Sequence, residues 1–125
     1  IDINEELQSM QKQYFEEAGV SKKITTYVGN ALNIIPAIDA TFDLVFLDAD
    51  KINYANYYDM VFDKVRKGGY IVADNVLWSG KILDEQKDKD TAALDSYNKK
   101  IQADERMQNI LLPIRDGIMI ARKMV

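Results

Sequence analysis

Two short apolar runs, Leu44-Val45-Phe46-Leu47 and Tyr70-Ile71-Val72-Ala73, break directly into polar clusters. Asp48-Ala49-Asp50-Lys51 follows the first and Asp74-Asn75 the second. Continuous four-residue runs rich in β-branched and aromatic side chains, with helix-like segments before and after, read as buried parallel strands. In open parallel sheets ligands gather in the crevice beyond the carboxyl ends of the strands. Two neighbouring strands would then bring Asp48, Asp74, Asn75 and Lys51 to one rim. An oxygen-only set of that kind suits a hard divalent cation such as Mg²⁺. The plainer alternative is that each Asp caps the next helix, since a carboxylate readily accepts orphan backbone N–H groups. Asp74-Asn75 fits that alternative poorly, because Val76-Leu77-Trp78-Ser79-Gly80 follows as an apolar loop with no helix to cap. The joint pattern favours an enzyme site.

Composition narrows the chemistry. The 125 residues suffice for one domain with a core, and 47% hydrophobic with 29% charged residues is ordinary globular usage. A net charge of −4 supplies neither a nucleic-acid footprint nor a polybasic membrane patch. No apolar stretch reaches the roughly 20 residues of a bilayer-crossing helix, and the opening Ile1-Asp2-Ile3-Asn4-Glu5-Glu6 lacks the pattern of a secretory signal. A cytoplasmic protein is the expectation, weakly supported by the absence of cysteine. With no histidine either, Ser-His-Asp and Cys-His schemes and the common zinc sites are excluded. A general base must be a carboxylate, a tyrosine or a lysine, which favours Lys51.

No repeat, low-complexity tract or linker interrupts the chain. Ile1-Asp2-Ile3 reads as the end of a strand. Residues 4 to 17 read as a helix with Leu7, Met10, Tyr14 and Phe15 on one face, Asn4 as its cap and Gly19 as its stop. Residues 24 to 28 alternate like a strand, and 31 to 35 form a short helix ended by Pro36. A strand is predicted over 42 to 47, a helix over 54 to 65, and Lys67-Gly68-Gly69 as a turn into the strand 70 to 73. A polar loop, a helix over 92 to 103 and two strands, 110 to 113 and 117 to 122, complete the order. Arg115-Asp116-Gly117 reads as a hairpin-type turn between those strands. Helix–strand alternation closed by an antiparallel pair implies an α/β sheet, mostly parallel, with helices on both faces.

Phe42-Asp43-Leu44-Val45-Phe46-Leu47-Asp48-Ala49-Asp50-Lys51, then Asn53-Tyr54, Tyr57-Tyr58 and Lys67-Gly68-Gly69, resembles one family closely. Asp74-Asn75-Val76-Leu77-Trp78-Ser79-Gly80 and Leu112-Pro113-Ile114-Arg115-Asp116-Gly117-Ile118 continue the likeness. That family is the cation-dependent S-adenosylmethionine O-methyltransferases, which include the caffeoyl-CoA and catechol O-methyltransferases and bacterial relatives. The resemblance implies a Rossmann-like sheet, mostly parallel, with a C-terminal antiparallel hairpin. It also implies that residues 1–125 are the C-terminal part of one methyltransferase domain, without the N-terminal helices, first strand and glycine-bearing cofactor turn. The 125 residues alone are then expected to be inactive, with a gap where the first strand belongs.

By the same resemblance, Asp2 binds the cofactor ribose, Asn30 and Ala31 meet the adenine, and Asp48 and Asp50 lie near the methionine end. Asp2 as a helix cap and Asn30 as an ordinary turn residue are the structural alternatives. Asp48, Asp74 and Asn75 match the metal ligands, with Mg²⁺ expected and Mn²⁺ or Ca²⁺ as alternatives, and Lys51 matches the catalytic base. Trp78 and Ser79, with Tyr57, match the walls of the acceptor pocket. The implied function is metal-dependent methylation of a phenolic or catechol-type hydroxyl on a small molecule. A second reading is a tRNA hydroxyuridine O-methyltransferase, against which the acidic composition counts. A third is a non-catalytic fragment. No membrane partner is expected, and the full-length form is expected to be a homodimer.

Overall fold

Asn4 and Gly19 bracket the first helix as their residue types dictate. In the computed structural model, which describes residues 1–125, Asn4 accepts a hydrogen bond from Glu6 N at 3.0 Å. A 3-10 turn over Glu5–Leu7 leads into α1 (Gln8–Glu17), and Gly19 takes φ 68 just beyond it. No residue of α1 is buried, and the anticipated inward residues Met10 and Tyr14 are exposed. Helix α2 (Ala31–Ala37) is capped by Asn30, whose side chain accepts from Leu32 N at 2.9 Å. It runs through Pro36 instead of stopping before it, since proline there removes only its own N–H and the helix ends one residue later. The alternating segment 24 to 28 forms no strand. Only a bridge between Asp2 and Val28 remains, with Asp2 N on Tyr27 O at 3.0 Å and Gly29 N on Asp2 O at 2.8 Å. Alternation makes a strand only where neighbours supply a ladder, and Asp2 is the single pairing residue here. These elements make up one compact unit, Ile1–Asp39, and Ala40–Val125 makes up a second.

The second unit is built on a four-stranded mixed sheet. In chain order its elements are β1 (Phe42–Leu47), α3 (Tyr54–Phe62), β2 (Val65–Asp74), α4 (Lys89–Ala103), β3 (Met107–Leu112) and β4 (Ile118–Lys123). The strand order is β1-β2-β4-β3. β1 and β2 are parallel, whereas β2–β4 and the closing hairpin β3–β4 are antiparallel. Helix α3 is shorter than its apolar pattern predicts, because Val65 opens β2. Lys67-Gly68-Gly69 is a bulge inside that strand and not a turn before it. Phe42 pairs with Val65, yet Leu44 already pairs with Tyr70. Gly69 is obligatory there, since a β-carbon would sit 2.9 Å from the carbonyl oxygens of Asp43 and Arg66.

α3 packs on β1 and β2, and α4 packs on α3 and β3. Alternation puts Leu47, Ile71, Ala73, Met119 and Ala121 on the buried face of the sheet. Tyr54, Tyr58 and Tyr97 fill the core above it, edge to face, with centroids 5.5 Å apart for Tyr54–Tyr97 and 6.5 Å for Tyr58–Tyr97. Such geometry adds about 0.5–1.5 kcal/mol per pair beyond area burial. Residues one step along each strand face the other way, and Leu44, Phe46, Tyr70 and Ile110 are exposed there. The expectation of two buried strands therefore holds for β2 and fails for β1, an edge strand with only Leu47 fully inside. None of the helices is long and apolar enough to cross a membrane.

Candidate active site

The parallel ladder ends where Leu47 pairs with Ala73, and Asp48 and Asp74 are the next residues along each run of chain. The chain turns away from β1 through a 3-10 turn, Lys51–Asn53, that runs into α3 and carries Lys51 back over the strand ends. Lys51 is buried, 8% exposed, and its ammonium donates three hydrogen bonds. They go to Tyr54 Oη at 2.6 Å, Asn75 Oδ1 at 3.0 Å and Asp48 Oδ1 at 3.3 Å. Tyr54 Oη lies 3.2 Å from the carbonyl of Leu47 and 3.1 Å from that of Asp74, so its proton bridges the ends of β1 and β2. Burial first, and the Asp48 carboxylate second, push the Tyr54 phenol far above its ordinary value, so it serves as a neutral donor.

Beyond β2 the backbone is unusual. Asn75, Trp78 and Ser79 take φ 61, 48 and 54, in the left-handed region that non-glycine residues rarely adopt. Asp74 Oδ1 accepts from Asn75 N at 2.7 Å. Val76 N bonds Gly117 O at 3.1 Å, Leu77 N bonds Asp116 O at 2.9 Å, and Ser79 N donates to the Asp116 carboxylate. Gly117 permits this contact, because a β-carbon at its φ of 83 would fall 2.4 Å from Leu77 Cγ. On the other side Asn98 of α4 donates to Val76 O at 2.8 Å. A cavity of about 600 Å³ opens here, lined by Asp74, Asn75, Ser79, Ile114, Arg115, Asp116 and Ile118.

The sequence-predicted residues divide accordingly. Asp48, Lys51 and Asn75 meet at one ammonium, and Asp74 shares the cavity with Asn75 and Ser79. Two side-chain oxygens already converge on a cation, and a carboxylate stands in the adjoining cavity. The donor set is all oxygen, which fits a hard divalent cation. Trp78 does not line the cavity; its ring faces Lys51, with Nζ 5.7 Å from the centroid. Tyr57 does not wall the cavity either. It is buried, and its hydroxyl donates to Asp50 Oδ1 at 2.5 Å, while Asn53 holds the other Asp50 oxygen. Burial and that hydrogen bond push Tyr57 up to about 12. In the first unit Asp2 Oδ1 accepts from Asn4 N at 2.9 Å, and Asn30 caps α2. Asn30 thus caps α2 beyond the ordinary turn expected of it, whereas Asp2 bonds the backbone of Asn4, which is itself the cap; Asp2 Oδ2 and the Asn30 amide N–H groups take no part in those bonds. Ala31 is the first residue of α2.

Tyr54, Asn98 and Asp116 belong to the site and escape the sequence pattern. Tyr54 reads as helix packing, and its burial confirms that half of its role. The only signal for the other half is its spacing three residues after Lys51, one helical turn.

The O-methyltransferase family profile matches residues 1–124. Among proteins of similar sequence is caffeoyl-CoA O-methyltransferase 1 of Arabidopsis thaliana. It is 36% identical over 136 residues, which cover 98% of this chain and 52% of that protein. Probable caffeoyl-CoA O-methyltransferase 2 of Dictyostelium discoideum is 35% identical over 129 residues, covering 98% and 56%. Among solved structures, cofactor-bound Rv0187 from MTB superposes with a TM-score of 0.90 at 28% identity, covering 98% of this chain and 59% of that one. TomG, an O-methyltransferase of Streptomyces achromogenes solved in complex with SAM, gives 0.89 at 25% identity, covering 99% and 60%. The chain thus spans little more than half the length of these relatives.

Proposed function

The chain belongs to the O-methyltransferase family, and from that premise we propose that it forms the metal- and acceptor-binding part of an S-adenosylmethionine-dependent O-methyltransferase. The acceptor is a small molecule with a phenolic or catechol-type hydroxyl. One observation carries this reading: Asp48 and Asn75 share a buried lysine ammonium, beside a cavity that Asn75 lines together with Asp74.

Asp48, Asp74 and Asn75 would hold a divalent cation, Mg²⁺ first among the candidates. When bound, such an ion lowers the pKa of a coordinated hydroxyl and fixes two adjacent acceptor oxygens. S-adenosylmethionine supplies a sulfonium methyl group, which passes to the acceptor oxygen. Lys51, held beside Asp48 and Asn75, would act on the hydroxyl proton. As an ammonium with all three N–H bonds engaged it would orient that hydroxyl electrostatically, and it would take the proton only as the free amine, having first given one of its own up. Tyr54 holds the ammonium from beneath, and Trp78 offers its ring to the same charge. Asp2 would accept from ribose hydroxyls through its free oxygen, Asn30 and Ala31 would meet the adenine, and Asp48 and Asp50 would serve the methionine end. Ser79, which lines the cavity beside Asp74 and Asn75, would wall the acceptor. The homodimer and the cytoplasmic setting belong to the same proposal for the longer protein.

The test is methyl transfer from S-adenosylmethionine to catechol by the full-length protein, with Mg²⁺ and with excess chelator. Transfer that stops with chelator and returns with added metal is the expected result. Full activity in chelator would remove the cation from the reading, and no transfer under any condition would remove the acceptor class.

A further inference from the structure

Arginine is an unfavourable residue for position 115. Gly117 N bonds Ile114 O at 3.0 Å and closes a turn whose first central residue, Arg115, has φ 52. Hairpin turns with positive φ at that position favour glycine, and a long side chain there is strained. Non-glycine residues persist in such conformations mainly where the side chain has a task. Arg115 lines the cavity shared by Asp74, Asn75 and Ser79, and it is the only cationic residue among the lining. It joins none of the chain's ion pairs or side-chain hydrogen bonds. The two carboxylates on the same cavity each accept from a backbone N–H through one oxygen, Asp74 from Asn75 N and Asp116 from Ser79 N, and neither pairs with Arg115. Arg115 thus lines the cavity as an exposed residue whose guanidinium no carboxylate of the chain pairs.

We propose that Arg115 selects the acceptor: it recognises an anionic substituent, a carboxylate above all, on the molecule whose hydroxyl lies at the Asp74–Asn75 end. The guanidinium fork matches a carboxylate with two parallel hydrogen bonds. This rests on the methyl-transfer reading above and narrows it from catechol-type hydroxyls in general to acidic ones. Arg115 acts on binding and not on the reacting atoms, so its signature lies in KM.

The experiment compares 3,4-dihydroxybenzoate, its neutral amide and unsubstituted catechol as acceptors for the full-length, Mg²⁺-loaded protein, with Arg115→Gly and Arg115→Lys alongside. Thermal unfolding is recorded for each variant; glycine relieves the positive φ, so Arg115→Gly is expected to melt no lower than the parent. The parent should favour the acid over the amide in kcat/KM. Arg115→Gly should reduce that preference about tenfold, the scale of one charge-assisted contact, through KM for the acid. Arg115→Lys should retain part of it. An acid-to-amide ratio unchanged in Arg115→Gly, or a loss that affects acid and amide in step, overturns the proposal. A parent that methylates catechol and the amide as well as the acid also overturns it while leaving the methyl-transfer reading intact. A parent that methylates none of the three overturns both.

Discussion

Lys51 is the residue on which the local chemistry turns. Its ammonium is buried among one carboxylate, one amide oxygen and one phenol, and a buried charge persists only when so compensated. Replacing it with Met removes the charge and leaves the stem volume. The expected outcome is a fall in kcat of about 10² or more, the usual contribution of a positioned proton-handling group, measured by steady-state kinetics in the full-length protein. A parental kcat would show Lys51 to be a structural counter-ion. Tyr54→Phe, which removes only the hydroxyl beneath Lys51, should cost about 1 kcal/mol of stability and a smaller share of kcat. Asp48, Lys51, Asp74 and Asn75 were legible in the sequence because strand ends are where a parallel sheet gathers function. Tyr54 was not, since i+3 spacing describes packing and chemistry equally well, and only the fold sets its hydroxyl between Leu47 O and Asp74 O. Tyr57, read as a wall of the acceptor pocket, is buried and its hydroxyl donates to Asp50.

At the scale of elements, the segment after β2 matters most. Three non-glycine residues within five positions adopt positive φ, each at a cost on the order of 1 kcal/mol. The hairpin turn grips this segment from one side through Gly117 O, Asp116 O and the Asp116 carboxylate. Helix α4 grips it from the other through the single bond from Asn98 to Val76 O, the second Asn98 amide atom being buried without a partner. Asn98→Leu strands the carbonyl of the fully buried Val76. The expected cost is about 1–3 kcal/mol in chemical denaturation, with faster hydrogen exchange at residues 76 to 79. Unchanged stability and exchange would mean that the hairpin alone holds the segment. None of this was readable beforehand. The helical pattern of α4 was visible, but a polar side chain reaching another element's carbonyl leaves no periodic trace. The bulge in β2 was hidden for a related reason, since Lys67-Gly68-Gly69 reads as a turn until Phe42 and Leu44 pair on either side of it.

At the scale of the whole molecule, the succession of strands from β1 onward was legible because apolar runs and turn residues punctuate the chain there, whereas the strand expected over 24 to 28 does not form. The exposure of β1 was not, because a continuous apolar run specifies burial without saying what does the burying. Leu44, Phe46, Tyr70 and Ile110 form an apolar face opposite α3 and α4, and β1 ends the sheet. Apolar faces and bare edge strands of this kind recruit partners. We expect the 125-residue polypeptide alone to self-associate in sedimentation velocity and the full-length protein to show a defined oligomer. A monodisperse, cooperatively unfolding 125-residue monomer would contradict that. The central claim, that Asp48, Asp74 and Asn75 make a divalent-cation site at the ends of β1 and β2, is tested most directly by titrating the full-length protein with Mn²⁺ under electron paramagnetic resonance. The account predicts one bound ion per chain in the parent and loss of that site in a folded Asp74→Ala variant; equal Mn²⁺ binding by both would contradict it.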